Sequence, residues 1–78
     1  MSMQIAEITS EPIQLYKLLK LESMVSSGGE AKAVIADGQV LVNGEIETRK
    51  RKQINAGDVV SFNGQEIQVQ LTSKESPA

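Results

Sequence analysis

The dipeptide Asn43-Gly44 stands between Val40-Leu41-Val42 and Glu45-Ile46, an arrangement that constrains the local path of the chain more than any other in the sequence. A two-residue type I′ turn needs positive φ at both central positions, which Asn and Gly tolerate, so the segment predicts a tight β-hairpin. Val40 and Val42 share one face of its first strand and Leu41 takes the other. A second pair, Asn63-Gly64, separates Val59-Val60-Ser61-Phe62 from the alternating Glu66-Ile67-Gln68-Val69-Gln70-Leu71. A second hairpin is expected there, with Phe62 in the core. Ala56-Gly57-Asp58 supplies a turn between the two hairpins.

The N-terminal half follows a different period. Ile5 to Ile8 reads as a short strand, and Ser10-Glu11-Pro12 as the opening of a helix with proline in its first turn. Leu15, Leu18 and Leu19 then share one helical face, while Lys17 and Lys20 point away from it. Ser27-Gly28-Gly29-Glu30 fits a capping box, with Ser27 as N-cap and Glu30 reaching back. Ala31, Val34 and Ile35 make the apolar stripe of this second helix, and Asp37-Gly38 ends it. The expected architecture is α+β, two short helices packed on a small, mostly antiparallel sheet. One domain is expected over residues 1–72, followed by a polar tail at 73–78.

A chain of 78 residues buries only about 60% of its unfolded surface, which leaves little room for a large cleft. It has no Cys and no His, which removes thiolate ligands, disulfides and the usual neutral-pH general base. No spacing of carboxylates, lysines or serines suggests catalysis. An enzyme is therefore not expected, nor a cofactor, a metal or a small-molecule substrate. The N-terminal residues lack the basic segment and apolar core of a secretory signal, and no apolar run reaches membrane-spanning length. The cytoplasm is the expected compartment.

What remains is charge. The chain carries 10 Asp and Glu against 8 Lys and Arg, for a formal net charge of -2. Yet Arg49, Lys50, Arg51 and Lys52 are consecutive, directly after the predicted hairpin. Affinity for nucleic acid comes from cations that meet phosphates and release condensed counterions, so clustering outweighs net charge. Arg49 and Arg51 would fork onto phosphate oxygens, while Lys50 and Lys52 add field. Four contacted phosphates would give a log-log salt slope of about -3. The plain alternative is a solvated connection that keeps a sheet edge polar. Lys17, Lys20 and Lys32 extend the patch across both helices, or are ordinary wet helix surface. The amides of Gly28 and Gly29 suit either a phosphate or simple capping, and Glu30 favours capping. With one Tyr and one Phe, base stacking on several rings is poorly supported, which favours folded RNA over single strands. Tyr16 is ambiguous.

Leu15, Leu19, Ser27 to Ala31, Asp37-Gly38-Gln39-Val40, Val42-Asn43-Gly44 and Gly57-Asp58 together resemble the S-four RNA-binding domain, whose fold is called the αL motif. Lys20-Leu21-Glu22, Ser27-Gly28, Ala31-Lys32 and Glu47 to Arg51 are similar to the small stand-alone bacterial YbcJ-like members of that superfamily. The resemblance implies binding to structured RNA of the ribosomal or transfer RNA class, in a ribosome-associated setting with a ribosomal or other protein as a further partner. It carries Ser27, Lys32, Asn43 and the basic run onto the family's RNA surface. Gln14-Leu15-Tyr16 stands where the family has Arg-Leu-Asp, Ser27-Gly28 where it has Ser-Arg, and Ala56 where it has a proline. Two basic contacts are thereby missing. The competing expectation is a protein-interaction adaptor, using the same basic loop and a sheet edge near Ile67 to Leu71 to hold an acidic protein partner.

Overall fold

Both Asn-Gly pairs turn the chain as their composition requires. A computed structural model describes residues 3–72, and in it Asn43 and Gly44 have φ of 53° and 85°, Asn63 and Gly64 of 55° and 80°. The first turn joins β3 (Val40–Val42) to β4 (Glu45–Ile46), and the second joins β6 (Val59–Phe62) to β7 (Gln65–Leu71). With β1 (Met3–Ile8) these strands form a sheet in the order β1-β7-β6-β3-β4. All its pairs are antiparallel except β1 with β7, which are parallel with Ala6 opposite Val69. Thr72 extends that edge by donating its N–H to the Ile8 carbonyl at 2.7 Å. The expected tail at residues 73–78 lies outside the described residues.

The parallel pair corrects one expectation and bears out another. The strand expected from Ile5 to Ile8 is present within β1, and these two residues, three apart, take opposite faces of it. The sheet buries Ala6 and Ile8, and Ile5 stays 45% exposed. Because β1 covers β7 on one side and β6 on the other, Ile67 to Leu71 is not a sheet edge. The adaptor expectation placed its partner there, and the backbone groups it needed already pair within the sheet.

The helices are α1 (Leu15–Leu21) and α2 (Gly28–Ala36). Leu15, Leu18, Leu19, Ala31 and Ile35 are fully buried against Val40, Val60, Ile67 and Val69 of the sheet. The small Ala31 allows α2 to lie close to its neighbours, while Val34 and Tyr16 pack at the margin of the core. Ser27 caps α2 as predicted, its Oγ accepting the Glu30 N–H at 3.1 Å. Glu30 reaches one residue further back than a standard capping box: its Oε1 accepts from the Ser26 N–H at 2.8 Å and the Ser26 hydroxyl at 2.7 Å.

The start of α1 differs from expectation. Pro12 does not open the helix, because Ile13–Gln14 is extended and forms β2, which pairs antiparallel with β5 (Gln53–Ile54). The helix begins only at Leu15, and its N-cap Gln14 makes no side-chain cap bond. A tertiary partner replaces the cap.

Both helices end in a six-to-one, five-to-two pair of backbone bonds. In α2, Gln39 donates to Val34 and Gly38 to Ile35, and in α1, Met24 donates to Leu19 and Ser23 to Lys20. Gly38 takes the left-handed position in α2 (φ 80°), but in α1 that position is Ser23 (φ 60°), where a Cβ is strained. Ser23→Gly should therefore raise stability by about 0.5 kcal/mol, since relieved strain outweighs the extra chain entropy of glycine. The change reads out as a higher urea midpoint at unchanged m-value.

Candidate nucleic-acid interface

A helix start leaves several N–H groups without partners inside the helix. In α1 the Leu15 N–H donates to the Lys52 carbonyl at 2.9 Å and the Tyr16 N–H to the Lys50 carbonyl at 3.1 Å. The basic run thus supplies the cap that Gln14 does not. Alongside, Ile13 pairs with Ile54 and Gln14 with Gln53, and the buried Ile54 anchors the far end. The run itself is a tight turn, closed by the Lys52 N–H to the Arg49 carbonyl at 3.1 Å. Its Lys50 and Lys52 carbonyls face the helix.

Lys50 and Arg51 sit at the corners of this turn and are exposed, as is Arg49, whereas Lys52 is half-buried. The turn borders a groove of about 940 Å³ that continues past Thr48 and Gln53 to Ala36 at the end of α2. Lys32 lies one helical turn before Ala36 on the same face. Its Nζ stands 5.0 Å from the centre of the Tyr16 ring, and Lys17 Nζ stands 6.0 Å from the same ring. Ammonium groups at that range are attracted by the ring's negative face. Tyr16 therefore gathers two lysines from two helices, while its own N–H is fastened to the basic turn.

Not every predicted residue joins this surface. Lys20 lines a separate groove with Ser23, Ser26 and Glu30. The Ser27 Oγ is occupied as the cap of α2. The Asn43 side chain is used inside the fold: Nδ2 donates to Asp58 Oδ1 at 3.1 Å and Oδ1 accepts the Val59 N–H at 2.9 Å. It ties the first hairpin turn to the Gly57-Asp58 turn, so its amide atoms are spent within the fold. Gly28, where the resemblance implies an arginine, would present a side chain to open space, since an added Cβ there meets nothing within 4 Å.

Arg49 is also engaged. Its Nε donates to Glu47 Oε2 at 2.9 Å and its Nη2 to Glu47 Oε1 at 3.2 Å, while its backbone N–H donates to Oε2 at 3.0 Å. The Arg49 side chain is 70% exposed and that of Glu47 only 13%. Hydrogen bonds from the Arg49 guanidinium, followed by its backbone N–H and charge, hold the Glu47 carboxyl down at about 2, with the Lys52 charge adding slightly. Glu47 in turn raises the Arg49 guanidinium above its ordinary value. Sequence reading missed this partner, although Glu47 stands two residues from Arg49. An i, i+2 spacing would put the two side chains on one side of an extended segment, but residues 47–49 lie beyond β4, so the sequence does not fix their conformation.

Among the described residues no cluster of His, Cys, Asp and Glu is suited to hold a metal ion, and no helix is long and apolar enough to cross a membrane.

The model of the S4 domain family matches residues 6–70. The protein YbcJ of Escherichia coli (strain K12) is 54% identical over 57 residues, which cover 73% of this chain and 81% of that protein. RlbA of Bacillus subtilis (strain 168), named a probable ribosome maturation protein, is 40% identical over 57 residues, 73% of this chain and 80% of that one. The solution structure of Escherichia coli YbcJ has an αL motif involved in RNA binding. It superposes with a TM-score of 0.68 at 46% identity, covering 90% of each chain.

Because Glu47 is ionised in the fold well below its ordinary 4.5, its ion pair contributes stability above that value, and the contribution is lost as pH falls through about 2. A carbon-13 NMR titration of the Glu47 carboxyl should find this depressed midpoint, and Arg49→Gln should return it toward the ordinary carboxylate range.

Proposed function

The chain belongs to the S4 domain family, and from that premise we propose that it binds structured RNA without catalysis, through the basic turn and the helix surface beside it. The observation that carries the reading is the capping of α1 by Lys50 and Lys52 carbonyls. It turns four consecutive cations into a rigid ridge beside Tyr16, Lys17 and Lys32. A cation held in place loses less conformational entropy on meeting a phosphate than one on a loose loop. The similarity to YbcJ, whose structure has an αL motif involved in RNA binding, and to RlbA supports the same class. Ribosomal RNA, or transfer RNA of similar A-form structure, is the proposed ligand.

Recognition rests on phosphate geometry and duplex shape, because the surface offers one half-buried aromatic ring and no array on which bases could stack. Tyr16 acts as a positioning residue for Lys17 and Lys32, in place of the arginine contacts that Gln14 and Gly28 do not provide. Lys20, Ser27 and Asn43 are peripheral in this reading. The protein-adaptor alternative keeps the basic turn but has no edge at β7 to extend.

Lys50→Glu combined with Arg51→Glu should lower affinity for an RNA stem-loop by about tenfold or more while the fold persists, because both side chains project from the turn. With Arg49 held by Glu47, three cations of the run remain, and the wild-type salt slope from the run should be about -2. Unchanged affinity in the folded double variant, followed by fluorescence anisotropy, would defeat the reading. Tyr16→Leu should weaken binding about threefold by releasing the two lysines, whereas Tyr16→Phe, which keeps the ring face, should bind as the wild type does.

A further inference from the structure

The Glu47 carboxylate meets Arg49 as a phosphate would, with one oxygen on Nε and the other on Nη2. That two-point fork is the geometry by which a guanidinium takes a carboxylate or a phosphodiester, and both cannot occupy it together. Two further features fix the anion. The Glu47 N–H donates to the Val40 carbonyl at 2.9 Å, which fastens its backbone to β3, and its side chain is largely covered while that of Arg49 points outward. A tethered carboxylate therefore stands ready at high local concentration against any incoming phosphate.

From this we infer that Glu47 is a built-in competitor for RNA, a specificity-determining residue that holds Arg49 in reserve until a phosphate presented to its fork displaces the carboxylate. The inference rests on the RNA-binding reading above. Lys50, Arg51 and Lys52 meet RNA first, and Arg49 joins only where the docked backbone delivers two phosphate oxygens in the guanidinium plane. An ion pair whose cation stands in solvent is weak, so the restraint it imposes is small and reversible. RNA that touches the ridge without reaching Arg49 gains nothing from the fourth cation.

The test measures an RNA stem-loop against the wild type, Glu47→Gln, Arg49→Gln and the double variant by fluorescence anisotropy over a salt series. Glu47→Gln keeps a side-chain oxygen to accept the Arg49 N–H and should retain the fold. It should bind about three- to fivefold more tightly, the range set by an exposed ion pair, and its salt slope should steepen by about 0.7 as one more cation becomes available. Glu47→Asp, whose shorter side chain cannot span the fork, should move the same way by a smaller amount. In the Arg49→Gln background the Glu47→Gln change should have no effect. Binding by Glu47→Gln that equals or falls below the wild type would overturn the inference, because Glu47 would then only orient Arg49. A gain that persists undiminished without Arg49 would also overturn it, since general loss of negative charge would explain the result. Wild type that fails to bind the stem-loop would defeat the RNA reading itself and this inference with it. Wild type that binds with an unchanged Glu47→Gln variant defeats the inference alone.

Discussion

Two backbone hydrogen bonds, from the Leu15 and Tyr16 N–H groups to the Lys52 and Lys50 carbonyls, decide how this small protein presents its charge. Helix starts need acceptors, and this cationic turn has carbonyls to offer while Lys50 and Arg51 stay exposed at its corners. The same contact solves a structural problem for α1 and an organisational one for the surface. Without it, Gln14 would leave the helix start uncapped, and the basic run would be an ordinary solvated connection. The short pairing of β2 with β5 and the buried Ile54 hold the two partners in register.

Electrostatics at this surface is local in both directions. A chain of net charge -2 concentrates half its cations in one turn and then restrains one of them with Glu47. The field available to a polyanion is therefore smaller than the sequence suggests but better ordered, since Lys50 and Arg51 occupy turn corners and Lys32 and Lys17 flank the Tyr16 ring. This arrangement differs from the family pattern in its means. Where the resemblance implies arginines at the start of each helix, the chain has Gln14 and Gly28, and in the proposed reading the lysines beside Tyr16 take that part.

Membership in the S4 domain family fits the architecture closely, yet several family positions serve the fold here. Asn43 ties two turns together through both atoms of its amide, and Ser27 caps α2. Each was a reasonable candidate for RNA contact because a polar residue at a turn or a helix start is accessible. Accessibility is also what lets such residues satisfy backbone donors nearby, and in both cases the intramolecular partner is the one observed.

Local chemistry made much of the fold legible. Tight type I′ turns require positive φ, which Asn and Gly tolerate, so both hairpins and the strands around them could be read directly, as could the Leu15, Leu18, Leu19 face, the Ser27 cap and the Gly38 stop. These features depend on residues a few positions apart, where dihedral preferences and side-chain periodicity act without help. The parallel pairing of β1 with β7, the extended Ile13–Gln14 segment, the docking of the basic turn on α1 and the fork of Glu47 on Arg49 were decided only by the tertiary structure. Each joins groups whose approach depends on how the whole chain packs, or on the path the backbone takes after a strand has ended. The four cations were determined by the sequence. Their direction, and which of them stands unpaired, were set by the fold, because a charge acquires its partners only when the backbone beneath it has been fixed.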